Sequence, residues 1–279
     1  RSFFGYGLVR TSGDFGTQSR PPTDPELLDW LAVEWMEKGW SPKQLHRMIV
    51  TSATYQQSAA VTPALLKRDP QNELLARGPR VRVEAETVRD IALAAAGLLS
   101  PKVGGPSVYP PQPDSVTALA YGGMKWPTSQ GENRWRRSLY TFSKRTAPFA
   151  AYAAFDAPSG ENCTARRDRS NTPLQALTML NDEMFLEAAR ALGRKAATLA
   201  DSDDAAKATY IFRRLLTRPP ADDELAALLD YFQRQRQRLA DGALSAADVA
   251  ADKSATADAA AWTMVARAVM NLDETITKP

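Results

Sequence analysis

Cysteine and histidine are nearly missing from this sequence: one of each, Cys163 and His46, occurs in 279 residues. A single cysteine excludes an internal disulfide and a cysteine-rich zinc site, and it leaves the redox compartment open. A single histidine excludes a metal centre of the usual histidine-rich kind, so no metal ligands are expected. A Ser-His-Asp triad would have to use His46. No Cys-x-x-Cys-His stretch occurs, which excludes covalent c-type haem in this segment. Gly104-Gly105-Pro106 lacks the following Lys-Ser/Thr of a phosphate loop. Long apolar runs are also lacking. The longest, around 91–99, is too short to span a bilayer. Arg1-Ser2-Phe3-Phe4-Gly5 has no signal-peptide pattern and no initiator methionine. The expectation is a C-terminal fragment of a longer multidomain protein, forming a single helical domain over 1–279.

Hydrophobic residues make up 44% of the chain and charged residues 24%, a balance that lets a chain of this length bury a core without disulfides. Helix signals dominate. Thr23-Asp24-Pro25-Glu26, Ser41-Pro42-Lys43-Gln44 and Thr172-Pro173-Leu174-Gln175 each place a capping side chain ahead of a proline in the first turn. Leu27, Leu28, Leu31 and Trp35 fall on one face of the first helix. Glu84 to Leu99 reads as another helix, Asn181-Asp182 as a restart, and Asp222-Asp223-Glu224 as an acidic N-terminus. Strand signals are confined to 79–84 and 137–142 and do not make a sheet. The fold class is therefore all-α, mainly helical, with long irregular loops and at most short extended pieces. An irregular insertion is expected at about 101–131, and a flexible connection or exposed helix at about 241–260.

The formal net charge is +3, but it is unevenly spread. Residues 125–169 hold nine Lys/Arg against four acids, and 201–260 hold eleven acids against eight bases. The basic stretch suggests an anionic partner; the alternative is a solvated surface with structural ion pairs. His46 reads as structural and Cys163 as a packed cysteine.

The densest chemical cluster runs from Asp156 through Glu161 and Cys163 to Arg166, Arg167 and Arg169, ending at Gln175 on a helix N-terminus. Guanidinium groups bind carboxylate or sulfate in pairs of hydrogen bonds, and a helix start adds free N–H donors. Arg145, Arg166, Arg167 and Gln175 are the candidate binding residues. Asp156 and Glu161 are a candidate acid/base pair of the kind that cleaves glycosides. The opposing reading is that Gln175 completes a capping box and the arginines tie Asp156 in place. A second cluster is Arg82, Glu84, Glu86, Arg89 and Asp90, in which Glu86 and Arg89 read as a helix pair. A third is aromatic: Tyr109, Tyr121, Trp126, Trp135 and Tyr140. Of these, Trp126 and Trp135 are candidates for sugar stacking. The weak basic excess argues against nucleic acid.

These segments also carry a family resemblance. Gly7-Leu8-Val9, Asp14-Phe15-Gly16, Pro25-Glu26-Leu27-Leu28-Asp29-Trp30-Leu31, Gly39-Trp40-Ser41 and Ile49-Val50-Thr51-Ser52-Ala53-Thr54-Tyr55 take part. So do Glu84-Ala85-Glu86 with Arg89-Asp90, Gly104-Gly105-Pro106, Arg137-Ser138-Leu139-Tyr140, Phe155-Asp156-Ala157-Pro158, Thr172-Pro173-Leu174-Gln175 and Asn271-Leu272-Asp273-Glu274. Together they resemble the planctomycete-specific C-terminal domain of unknown function, domain-of-unknown-function family fifteen-fifty-three. The resemblance implies an exported or cell-envelope protein with upstream domains, often one like cytochrome c. It implies no catalytic residues. Haem would then belong only to an upstream domain, and no cofactor is expected in this segment.

The leading expectation is an accessory domain of an exported, cytochrome-associated protein that binds anionic polysaccharide. Its rivals are a polysaccharide hydrolase using Asp156 and Glu161, and a docking platform for an upstream haem domain. The last predicts exposed apolar surface near the N-terminus.

Overall fold

Local capping chemistry sets most of the helix starts. In the computed structural model, which describes residues 1–118, 125–200 and 202–278, Asp24 accepts from Leu27 N–H at 3.0 Å and Ser41 from Gln44 N–H at 3.4 Å. Thr172 accepts from Gln175 N–H at 3.4 Å and Asp182 from Met184 N–H at 3.0 Å. Each satisfies a donor that the first helical turn leaves free. The chain is mainly helical, as its sequence pattern predicts. It divides into two compact units.

The first unit comprises residues 1–82, 164–166 and 277–279. It holds α1 (Pro25–Glu37), α2 (Pro42–Thr51) and α3 (Pro63–Arg68), plus a two-residue antiparallel pair of β1 (Val81–Arg82) with β2 (Thr277–Lys278). None of its three helices buries a residue. On α1 the predicted apolar face is only half-buried at Leu27, Leu28 and Leu31, while Trp35 is exposed. His46 packs edge-on against the ring of Phe3 at 5.3 Å, a structural role.

The second unit holds the hydrophobic core. Its helices are α4 (Ala85–Ala96), α5 (Asp114–Ala118), α6 (Ala150–Ala154), α7 (Pro173–Asn181), α8 (Glu183–Ala197), α9 (Asp204–Leu216), α10 (Asp222–Ala240), α11 (Ala246–Ala250), α12 (Ala257–Met270) and α13 (Asp273–Ile276). Helix α8 lies along α12. Their contact is alanine-rich, with Ala188, Ala189, Ala260, Ala261, Val265 and Ala266 buried, which lets the backbones approach closely. Trp262 of α12 stacks on Phe232 of α10 with ring centres 4.0 Å apart. Segment 241–260 carries α11, whose Ala250 is buried.

The proline- and glycine-rich stretch after α4 has its own internal tether. Arg136 is buried and donates to the carbonyls of Pro106, at 3.1 Å, and Gly104, while its guanidinium lies 3.8 Å above the Tyr140 ring. Tyr140 returns a hydroxyl oxygen to Gly104 N–H at 2.8 Å. An irregular segment needs such partners, because no helix or sheet satisfies its backbone.

Candidate functional site

In the second unit, the start of α4 supplies Glu84, Glu86 and Asp90 on neighbouring turns. They line a cleft of about 510 Å³ together with Arg137, Tyr152 and Arg167. Arg167 donates to Glu86 at 2.7 Å and lies 3.1 Å from Glu84. The hydrogen bond to Glu86 pushes the Arg167 pKa up. Asp90 accepts from Ser138 N–H at 2.8 Å, and its other oxygen is 3.7 Å from Arg137. Burial pushes the Tyr152 pKa up, and its hydroxyl donates to the Ser138 carbonyl at 2.9 Å. Behind the cleft, Arg89 is 1% exposed and donates to the carbonyls of Arg136 at 2.7 Å and Arg134 at 2.9 Å. The sequence reading of Glu86 and Arg89 as a helix pair is replaced here. Arg89 holds the 134–138 strip, and Glu86 meets Arg167 from far along the chain.

The predicted acid/base residues separate in role. Asp156 is half-buried and accepts from Ser170 N–H at 2.7 Å, from the Ser170 hydroxyl at 2.7 and 2.9 Å, and from the Gln175 amide at 3.4 Å. Glu161 is exposed on the following loop. Gln175 is buried and also donates to the Ser170 hydroxyl at 3.1 Å, so it closes the same knot. Cys163 is exposed rather than packed, on a loop that is mostly polar and exposed.

Both candidate stacking rings are half-buried and have packing partners. Trp126 donates to the Pro110 carbonyl at 2.6 Å and stacks on Phe149 with the planes 8° apart. Trp135 packs against the core, and its N–H reaches Glu187 at 3.4 Å. Tyr121 lies outside the described residues.

Part of the basic stretch is paired with partners distant in sequence. Arg134 grips Glu187, and Glu183 at 2.6 Å; Arg136 is spent on carbonyls and Arg167 on Glu84 and Glu86. Arg145, Arg166 and Arg169 are exposed, with no acidic partner among the described residues. Arg166 belongs to the first unit, where it lines a separate cavity that its neighbours in sequence do not announce. No group of three or more His, Cys, Asp or Glu able to hold a metal ion occurs among the described residues. No helix there is long and apolar enough to cross a membrane.

The chain matches no curated protein and no solved structure. A family model does match, over residues 1–232, which leaves Asn271-Leu272-Asp273-Glu274 outside the matched stretch. Since that match spans most of the 279 residues, the chain belongs to the family described as PSD1, Protein of unknown function (DUF1553).

Proposed function

We propose that this chain is a non-catalytic accessory domain that binds an anionic polysaccharide, within an exported, cytochrome-associated protein. The carrying observation is the contrast among the predicted site residues. Asp156 is saturated by Ser170 and Gln175, whereas Arg145 and Arg166 are exposed without an acidic partner among the described residues. A carboxylate already holding several donors is poorly suited to give or take a proton, while an unpaired exposed guanidinium has its fork open to a carboxylate or sulfate. The exported context comes from the family resemblance. The hydrolase reading has less support, since it needs Asp156 available.

The test is binding of the full chain to neutral, carboxylated and sulfated polysaccharides at low and moderate salt. Expected is salt-sensitive binding to the anionic polymers without release of new reducing ends. Equal affinity for the neutral polymers would refute the reading, and release of reducing ends would move it to the hydrolase.

A second reading, a docking platform for a haem domain, is favoured by the exposed rings of Phe15, Trp30 and Trp40 in the first unit. It predicts that Trp30→Ser with Trp40→Ser weakens association with a c-type cytochrome domain from the same polypeptide. Unchanged association would remove it.

A further inference from the structure

The charged groups that line the cleft of the second unit are already matched to one another. Glu84 and Glu86 converge on one Arg167 nitrogen, at 3.1 and 2.7 Å, and Arg137 stands 3.7 Å from Asp90. Such pairing removes most of the pull on a free ion. A cation would compete with Arg167, and an anion would meet three carboxylates. Hydrogen-bonding capacity survives the pairing, because a carboxylate has about four acceptor sites and a guanidinium several donors. Both contacts to Arg167 use the Oε2 atoms. The Oε1 atoms of Glu84 and Glu86 accept no hydrogen bond among the described residues.

The floor of the cleft is fixed from two sides. Ser138 is 2% exposed and is held at every polar atom. Its N–H donates to Asp90 of α4 at 2.8 Å, its carbonyl accepts from Tyr152 of α6 at 2.9 Å, and its hydroxyl accepts from Arg89 of α4 at 3.3 Å. The Tyr152 hydroxyl, having given its proton to Ser138, accepts from Thr141 at 3.0 Å. Polar directions on the wall are thus set before a ligand arrives, which lowers the ordering cost of binding.

Another side of the cleft is apolar, with Phe142, Pro148 and Pro158 beside the Tyr152 ring. Phe142 is half-buried and stacks on Tyr109 with ring centres 5.0 Å apart, which holds it in place.

We infer that this cleft binds an uncharged polyhydroxylated ring, a sugar of pyranose size. Sugar hydroxyls donate and accept at once, as do paired carboxylates and guanidiniums, and the C–H faces of the ring suit Phe142 and the prolines. An apolar ligand of the same size would desolvate the charged wall without replacing its hydrogen bonds to water. The cleft, of about 510 Å³, is of small-molecule size. Arg145 is exposed and runs beside it: its Cγ lies 3.7 Å from where a β-carbon on Gly160 would be, next to the lining residue Ser159. The inference adds to the polysaccharide reading a place for the sugar body near Arg145, and it rests on that reading only for the polymer that carries the sugar.

The test is titration of the full 279-residue chain with the methyl glycosides of glucose, galactose and mannose, and with glucuronate, glucosamine and cyclohexanol, at low and moderate salt. The variants are Glu86→Ala, which removes an acceptor, and Ala153→Trp, which fills the cleft from an exposed position on α6 and keeps the parent melting curve. At least one neutral glycoside is expected to bind about tenfold or more tightly than cyclohexanol, with no dependence on salt. Glu86→Ala should weaken it about tenfold, and Ala153→Trp should abolish it. The proposal falls if no neutral glycoside binds, if cyclohexanol binds as well, or if Ala153→Trp binds like the parent. It also falls if glucuronate or glucosamine binds more tightly than every neutral glycoside, which would mark an ion site. Arg145→Gln should weaken the anionic polymer and leave the glycoside unaffected. Glycoside binding without polysaccharide binding keeps the cleft and removes the polymer reading. Polysaccharide binding that Ala153→Trp leaves unchanged, with no glycoside bound, does the reverse.

Discussion

Asp156 takes both the N–H and the hydroxyl of Ser170, each within 2.7 Å of one carboxylate oxygen, from a left-handed backbone conformation with φ 60°. The residue joins the end of α6 to the start of α7. Asn tolerates that conformation and keeps one acceptor oxygen, so Asp156→Asn should cost about 1–2 kcal/mol. Asp156→Ala loses every acceptor and the local polar support, and should cost about 2–4 kcal/mol. Urea unfolding midpoints check the order. Equal costs would show that the backbone conformation is indifferent to the side chain. Polysaccharide binding by the Asn variant should match the parent, because the carboxylate serves the fold.

Arg89 is the donor on which the Arg134 and Arg136 carbonyls depend. Burial lowers its pKa, so its charge is held at a desolvation cost that the carbonyl partners offset. Arg89→Met leaves those buried acceptors empty and should destabilise by about 3 kcal/mol. Arg89→Lys cannot fork to both carbonyls and should fall between. A denaturation series in which Arg89→Met matches the parent would mean that the 134–138 strip is held by other contacts.

Arg218 bridges Glu224 and Glu274, with contacts of 2.7 Å to each. The Arg218 hydrogen bond, aided by the Ala221 N–H, holds the Glu224 pKa down to about 2 from 4.5. A lowered carboxylate pKa gives stability that is present above 4.5 and is lost as pH falls towards about 2. The groups are partly exposed, so the effect is modest and screened by salt. Arg218→Gln should flatten the fall in melting temperature across that window. An unchanged acid limb would place the sensitivity elsewhere.

Gly193 sits where α8 crosses α12, and a β-carbon there would lie 2.6 Å from both the Cα and the N of Thr263. Helix propensity favours alanine by about 1 kcal/mol, but overpacking against backbone costs about 1–3 kcal/mol or more. Gly193→Ala should therefore lower stability by about 2 kcal/mol in thermal or urea unfolding. Thr263→Ala should not rescue it, since the backbone contacts persist. A stabilised Gly193→Ala would show that the two helices can part without penalty.

Helix starts were readable in the sequence because capping is a local event. Asp24, Ser41 and Thr172 each act on an N–H three residues on, and Asp182 on one two residues on, so spacing alone reveals them. The all-α class follows from the same residues and the scarcity of strand patterns. The near-lack of cysteine and histidine excluded disulfide scaffolds and histidine-rich metal sites before any coordinates. The knot of Asp156, Ser170 and Gln175 was half visible, since its members lie close in sequence.

The fate of the charges was decided only by the tertiary structure. The window 125–169 looked like a basic patch, yet Arg134 finds Glu183 and Glu187, and Arg167 finds Glu86, 81 positions away. A local charge count cannot see such partners, because ion pairs follow distance in space. The same limit hid the cleft, where Glu86, Arg137, Tyr152 and Arg167 meet from far apart in the chain. Burial was also hidden. Both α1 and α8 carry apolar residues at helical spacing, but α8 has α12 to pack against and no residue of α1 is fully buried. Amphipathic spacing states which face of a helix can be covered; the chain's path through space determines whether anything covers it.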